Sequence, residues 1–291
     1  MTSSAGGSCC GWRRRRTRRR PRSVRRGGRS SSPRSCSARR SRPRGSTTRP
    51  AADPLREFRE VACRPESQLD LGLAALLLAR LEHPALDPAP WLARLDDLAA
   101  RSGVDEAPGP REKLERLSAF LFEKEGFRGN AEDYYDPRNS CLNDVLERRL
   151  GIPITLSVVA LEVARRLGLP LAGIGLPGHF VVGARVGEAL VVLDPFGGGR
   201  TLDREDAEAL VSRAMGRPVT LTDAHFARAS KAQILARMLR NLKAIYAKRR
   251  DWEKTLAVID GILAVEPGDQ AQLSERDTVL AHLRRKLALL N

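Results

Sequence analysis

The most constraining feature of this sequence is an apolar segment, GIPITLSVVALEVARRLGLP, at residues 151–170. Pro153 suits the first turn of a helix, where its missing N–H would have no partner in any case. Apolar side chains surround the next three turns, and only Glu162, Arg165 and Arg166 are expected to point to water. A helix that is apolar nearly all round has to be buried. The segment therefore predicts the central helix of a domain.

The apolar period changes after this helix. The segments LAGIG, HFVVGARV and ALVVLD, within 171–194, are typical of β-strands, and Gly187–Glu188 is typical of a tight hairpin turn. No crossover helix separates these strands, so the sheet is expected to be antiparallel. Helical patterns fill residues 53–126 instead. The sequence therefore predicts an α+β fold, with a helical N-terminal region at 53–126 and a core at 127–225.

Two polar residues of the hairpin are candidates for a functional site. His179 opens its first strand and Asp194 closes its second, so both are expected at the open end of the hairpin, within side-chain reach. The start of the buried helix at Pro153 is expected to converge on the same end. A carboxylate can hold a histidine as a base, and a helix N-terminus lowers the pKa of a thiol placed there.

Two long segments resemble the transglutaminase-like fold: FRGNAEDYYDPRNSCLNDVLERRLGIPITLSVVALEVARRLGLPLAGIGLPGHFVV and LDPFGGGR. In that fold's pattern a Cys starts a buried helix, R-x-x-G-[IL]-P ends it, a His opens a strand and Asp-Pro follows the next strand. The chain is most similar to a bacterial subfamily, the invasion-regulator-type proteins, which have a helical N-terminal region and C-terminal tetratricopeptide repeats. The resemblance extends over about 54–284.

The resemblance implies roles for three residues. His179 falls on the catalytic His and Asp194 on the catalytic Asp, whereas Pro153 stands where the nucleophilic Cys is expected. Proline offers no nucleophile, so a transglutaminase-like protein with a non-catalytic binding or regulatory role is expected. In that case the pair also fits a structural tie between two strand ends.

The alternative is a cysteine-type hydrolase or acyltransferase. Cys141 would be its nucleophile, with a pKa lowered by the start of a short helix. Ser140, Thr155 and Ser157 are hydroxyl candidates near the same site, although each suits a helix cap or a packing position equally well.

Further candidates concern binding. The polar stretch before the central helix holds Tyr134, Tyr135, Asn139 and Asn143, which are expected either to line a cleft or to order their own loop. Residues 226–291 are predicted to be helical, and the segment from 234 to 269 resembles one tetratricopeptide unit, in which Asn241 and Tyr246 are candidate binding residues. Such a unit serves either packing or recognition of a peptide. The expected partner is a protein or peptide.

The charge is concentrated at the N-terminus. Residues 1–50 contain 17 Arg and no acidic residue, whereas the other 241 residues carry 34 basic and 35 acidic side chains. This Arg- and Ser-rich tail, 1–52, is expected to be disordered because it has almost no large apolar residues. It fits a nucleic-acid-binding arm, a targeting peptide without an apolar stripe, or an extension from a start codon assigned too far upstream. Nucleic acid is a partner only if this tail is functional.

Cysteine usage indicates a reducing compartment. Cys63 and Cys141 are the two cysteines outside the tail, and their separation fits neither a disulfide framework nor a metal site. The longest uncharged apolar run, at 71–79, is far shorter than a membrane span. We therefore expect a cytoplasmic protein without a metal, a cofactor or a membrane partner.

Overall fold

The computed structural model describes residues 53–289, and the predicted disordered tail at 1–52 lies outside this range. Its α-helices are α1 (Arg56–Ala62), α2 (Leu71–Leu78), α3 (Ala89–Arg101), α4 (Pro110–Ser118), α5 (Leu142–Arg148), α6 (Pro153–Arg166), α7 (Arg204–Met215), α8 (Lys231–Lys248), α9 (Trp252–Val265) and α10 (Gln270–Ala288). Its strands are β1 (Arg128–Gly129), β2 (Leu150–Gly151), β3 (Ala172–Leu176), β4 (His179–Val186), β5 (Ala189–Asp194) and β6 (Arg200–Leu202).

Strands β3 to β6 form one antiparallel sheet in chain order. The β4–β5 hairpin turns at Gly187, whose φ of +62° strains any residue with a Cβ. Val186 pairs with Ala189 across this turn, so the register brings the far ends of both strands together. Strands β1 and β2 form a separate, short parallel pair. The predicted mixture of helices with an antiparallel sheet is confirmed.

Helix α6 lies at the centre of the structure, as its sequence predicts. All its residues from Pro153 to Ala164 are buried except Leu161, which is half-buried. The helix packs against α2, α3, α8 and β4. One hydrophobic core contains Leu76 of α2, Leu156 of α6 and Leu239 of α8, and so combines residues of all three predicted regions. A second core joins the other face of the sheet to Val211 of α7.

The expectation that Glu162 points to water is wrong. Its side chain is 1% exposed, and Oε2 accepts hydrogen bonds from Nη2 of Arg165 at 2.9 Å and from Nη1 of Arg166 at 2.7 Å. Gly72 of α2 makes room for this carboxylate, because a Cβ at residue 72 would lie 2.7 Å from Oε2. Packing of α2 on α6 therefore buries a charged group that its arginine partners satisfy.

Gly72→Ala is expected to lower the free energy of unfolding by about 1–3 kcal/mol, because the added methyl group displaces the Glu162 carboxylate from its ion pairs. Urea denaturation measures this change. Gly268→Ala is the matched control, since a Cβ at residue 268 meets no atom within 4 Å. A Gly72→Ala protein at least as stable as the wild type would contradict the close packing of α2 on Glu162.

The C-terminal helices pack in chain order, α8 on α9 and α9 on α10. The turn between α8 and α9 passes through Arg250 with a φ of +57°, at the position where the sequence predicts a turn. Within residues 53–289, no helix is long and apolar enough to span a membrane. In the same range, no three His, Cys, Asp or Glu side chains are grouped so that they would hold a metal ion.

Candidate functional site

The β4–β5 hairpin brings His179 and Asp194 together. Nε2 of His179 lies 2.8 Å from Oδ1 of Asp194, and both side chains are buried. A carboxylate in this position accepts the Nε2 proton, which assigns the tautomer of the ring by inference. Among residues 53–289, no group is hydrogen-bonded to Nδ1 of His179. Nδ1 is therefore the nitrogen that would exchange a proton with a ligand.

The loop after β5 holds Asp194 in place. Oδ1 of Asp194 also accepts a hydrogen bond from the backbone N–H of Phe196 at 3.2 Å, and its carbonyl accepts one from Gly199 at 2.8 Å. A Cβ at Gly197 would lie 2.5 Å from Oδ2, so a glycine is needed for this close approach. The carboxylate that orients His179 is thus fixed by its own loop.

Arg237 of α8 fixes the start of β4. Its Nη2 donates to the carbonyl of His179 at 2.7 Å, and its Nη1 donates to the carbonyl of Leu176 at 3.0 Å. Its guanidinium also lies 5.4 Å from the ring centroid of Phe180. Burial lowers the pKa of Arg237 from its ordinary value. Sequence reasoning missed this residue, although an Arg among the apolar positions of α8 was a signal that it meets a buried partner.

Three aromatic side chains lead from His179 towards the surface, and we call Phe196, Tyr134 and Tyr135 the aromatic row. The Phe196 ring lies 6.0 Å from His179 and 6.2 Å from Tyr134, and Tyr134 lies 5.5 Å from Tyr135. Edge-to-face contacts of this kind are favourable. Tyr134 is 38% exposed and Tyr135 57% exposed, and Nζ of Lys248 lies 4.7 Å from the Tyr135 ring centroid. The outer end of the row is therefore open to a partner.

The pKa of Tyr134 reflects its partly buried position in the row. Burial raises it from the ordinary value, and the positive charge of Arg237 opposes this effect. The phenol is therefore a neutral hydrogen-bonding group at physiological pH.

Asn139 orders the loop that carries these tyrosines. Its Nδ2 donates to the carbonyl of Asp133 at 2.6 Å, and its Oδ1 accepts from Nδ2 of Asn130 at 3.1 Å. Its side chain is fully buried. Of the two roles predicted for this stretch, Asn139 thus orders the loop, whereas the two tyrosines are exposed enough to contact a ligand.

The start of α6 carries no nucleophile. Pro153 is its first residue, and the Oγ1 of Thr155 donates to the carbonyl of Asn139 at 2.5 Å. Oγ of Ser157 donates to the carbonyl of Pro153 at 2.8 Å. Both hydroxyl groups are buried and bonded to backbone, which is the structural role that the sequence left open for them.

Cys141 is fully buried at the residue before α5. Burial raises the pKa of its thiol, and the negative charges of Asp144, Glu82 and Asp136 raise it further. The expectation that the start of the helix lowers this pKa is therefore wrong, because loss of water and nearby carboxylates outweigh a helix of two turns. Cys141 forms no hydrogen bond with His179.

The remaining candidates lie in different surroundings. Oγ of Ser140 and Oδ1 of Asn143 are buried and have no hydrogen-bond partner among the described residues. Asn241 is half-buried and lines a polar groove beside Arg237. Tyr246 is 1% exposed and donates its hydroxyl to Oε1 of Glu82 at 2.7 Å, which leaves no free surface for a ligand.

Comparison with known proteins agrees with the long resemblance in the sequence. The family model described as "Transglutaminase-like superfamily" matches residues 89–240. A UPF0162 protein of Xylella fastidiosa (strain 9a5c) is 40% identical over 238 residues, which cover 78% of this chain and 82% of the relative. A UPF0162 protein of Pseudomonas aeruginosa is 37% identical over 187 residues, which cover 64% of this chain and 68% of the relative.

A eukaryotic protein shares a smaller part of its length with this chain. F-box only protein 21 of Mus musculus is 30% identical over 230 residues, which cover 74% of this chain and 34% of that protein. No solved structure matches the chain.

Proposed function

From the premise that this chain belongs to the transglutaminase-like superfamily, we propose that it is a non-catalytic member that binds a protein or peptide. The observation that carries this proposal is the content of the site. A histidine with an orienting carboxylate is present, but Pro153 occupies the first position of α6, where the superfamily pattern has its nucleophile. A base without a nucleophile retains the means to bind a polar group but not to attack it.

Cys141 does not replace the missing thiol. The reactive form of a cysteine is the thiolate, and burial together with neighbouring carboxylates raises the pKa of Cys141 and disfavours that form. Its fully buried side chain also excludes a substrate from the sulfur. These features support a packing role for Cys141.

The aromatic row is the surface that we assign to the partner. Tyr134 and Tyr135 are exposed aromatic side chains, and residues of this type dominate the energetics of protein interfaces. Lys248 beside Tyr135 adds a positive charge, and Nδ1 of His179 adds a polar group at the inner end. A peptide lying along the row would meet all three features.

We assign the C-terminal helices chiefly to packing, and this assignment includes the finer resemblance to invasion-regulator-type proteins with tetratricopeptide repeats. The α8–α9 pair has the helix-turn-helix form of one such unit. Its residues Arg237 and Tyr246 face the main body, where they bind backbone of β4 and Glu82. One unit followed by a single helix buries its apolar faces only against the rest of the chain. We further place the protein in the cytoplasm.

Thiol labelling tests the absence of catalysis. Full-length protein is treated with iodoacetamide at neutral pH, and mass spectrometry follows each cysteine over time. Cys63 is exposed and serves as the internal reference. We expect Cys141 to react at least about 100-fold more slowly than Cys63, because its thiolate is disfavoured and the reagent has no access. The rate at Cys141 should not change in a His179→Ala variant that remains folded.

The opposite result would support the alternative enzyme. Fast, selective labelling of Cys141 that disappears in His179→Ala would show a nucleophile–base pair, and the chain would then be a cysteine-type hydrolase or acyltransferase. A folded His179→Asn variant separates loss of the base from loss of packing, since its side chain retains a polar group near Asp194.

A further inference from the structure

A second cavity lies away from His179. Its volume is about 760 Å³, and it opens on the face of the sheet that also packs against α7. Its apolar lining includes the side chains of Ile174, Val192 and Leu202, which are buried in the second core. Neither His179 nor Asp194 lines it. Pockets for small molecules usually enclose roughly 300–1,000 Å³ and are mainly apolar, so its size and lining suit such a ligand.

The walls of the cavity are held by specific contacts. On one side the backbone of Arg228 forms a bridge with Ile174 of β3, and Ala229 donates to the carbonyl of Gly173 at 2.8 Å. On the other side the guanidinium of Arg204 lies 5.1 Å from the ring centroid of Phe226. Nη1 of Arg204 donates to the carbonyl of Leu221 at 2.7 Å. These contacts hold the cavity open before any ligand arrives.

The charges that line the cavity leave a positive excess. Its two acidic side chains are already engaged, since Asp223 pairs with Arg204 and Oδ1 of Asp203 accepts from the N–H of Asp206 at 2.8 Å. Arg185 bonds only to the carbonyl of Glu188 at 3.4 Å, and Arg228 forms no ion pair with any carboxylate of residues 53–289. Two exposed guanidinium groups beside an apolar floor therefore have no anionic partner in the described chain.

We propose that this cavity binds a small amphiphilic carboxylate. The apolar body of the ligand packs on Ile174, Val192 and Leu202, and its carboxylate pairs with the exposed guanidinium groups of Arg185 and Arg228. Guanidinium and carboxylate form strong, charge-assisted hydrogen bonds, and burial of the apolar body supplies the rest of the binding energy. This site is separate from the aromatic row and does not depend on the function proposed for it.

The experiment uses the fluorescent probe 1-anilinonaphthalene-8-sulfonate, whose emission rises in an apolar site, with the full-length protein at elevated salt. High salt screens exposed charges more than partly buried ones, which suppresses binding to the N-terminal arginines. Dodecanoate, below its micelle concentration, is the competitor, and dodecanol is its uncharged counterpart. Three variants are compared: Arg185→Gln with Arg228→Gln, Ala172→Phe, and Arg94→Gln with Arg217→Gln. The last pair removes the same charge from exposed positions outside the cavity.

We expect saturable probe binding that dodecanoate displaces and dodecanol displaces at least about 10-fold less well. The Arg185→Gln/Arg228→Gln protein should bind the probe about 10-fold more weakly, and Ala172→Phe should abolish binding because the ring fills the cavity. The Arg94→Gln/Arg217→Gln control should bind like the wild type. Equal loss in this control, equal competition by dodecanol, or unchanged binding in Ala172→Phe would overturn the proposal. Circular dichroism identifies any variant that fails to fold, and Arg228→Lys, which retains the charge, should then retain most of the binding.

Discussion

Replacing Tyr246 with Ala is expected to lower the free energy of unfolding by about 3–5 kcal/mol, the cost typical of truncating a large buried aromatic residue. Tyr246 is one of the largest fully buried side chains of the described chain. Its hydroxyl donates to Oε1 of Glu82 at 2.7 Å, and Nζ of Lys254 donates to the same oxygen at 2.8 Å. These contacts connect α8 and α9 to the N-terminal helices, so their loss weakens the whole structure.

Tyr246→Phe isolates the hydroxyl group and is expected to cost about 1–2 kcal/mol at neutral pH. Burial acts to raise the pKa of Glu82, but hydrogen bonds from Lys254 and Tyr246 outweigh it and hold this pKa below its ordinary value. A carboxyl whose pKa is lowered on folding stabilises the protein above its unfolded pKa, and this contribution is lost as the pH falls through the folded pKa. The difference between wild type and Tyr246→Phe should therefore shrink as the pH falls below about 4.

Urea denaturation at several pH values measures both effects. Tyr135→Ala and Tyr135→Phe are the matched controls, because Tyr135 is 57% exposed and should change stability by less than about 0.5 kcal/mol. A Tyr246→Ala protein that is as stable as Tyr135→Ala would contradict the view that this residue anchors the C-terminal helices.

The sequence was sufficient to predict those elements whose own pattern determines them. The apolar segment after Pro153 predicted a central buried helix, and α6 is that helix. The alternating residues around Gly187 predicted a hairpin, and its register follows from a turn of two residues. The proximity of His179 and Asp194 follows from the same register, since the two residues flank the open end of the hairpin.

Features that depend on distant packing were not predictable in this way. Glu162 was expected at the surface because a charged residue on a helix usually is, yet α2 covers it through Gly72. The pKa of Cys141 depends on Glu82, which is 59 positions away in the sequence. Likewise, nothing local to Arg237 shows that it binds the backbone of β4. Each of these environments is created by contact between segments far apart in the chain.

Pro153→Cys is expected to create the reactive thiol that the chain lacks. The substitution tests the central claim, that Pro153 occupies the nucleophile position facing a retained His179–Asp194 pair. Loss of proline at the first position of a helix costs little, because any residue is tolerated there. A thiol at this end of α6 would be stabilised as a thiolate by the helix dipole and by a protonated His179. At slightly acidic pH, the introduced thiol should therefore react with iodoacetamide about 10-fold or more faster than Cys141.

The most direct measurement is the iodoacetamide rate of Pro153→Cys as a function of pH, with and without His179→Ala, in proteins shown to be folded by circular dichroism. Our account predicts a thiol that reacts well below the pH range of an ordinary cysteine, and a rate that falls about 10-fold or more at pH 6 when His179 is replaced. A thiol at position 153 that reacts as slowly as Cys141 and is indifferent to His179→Ala would contradict it, since His179 would then not face the start of α6.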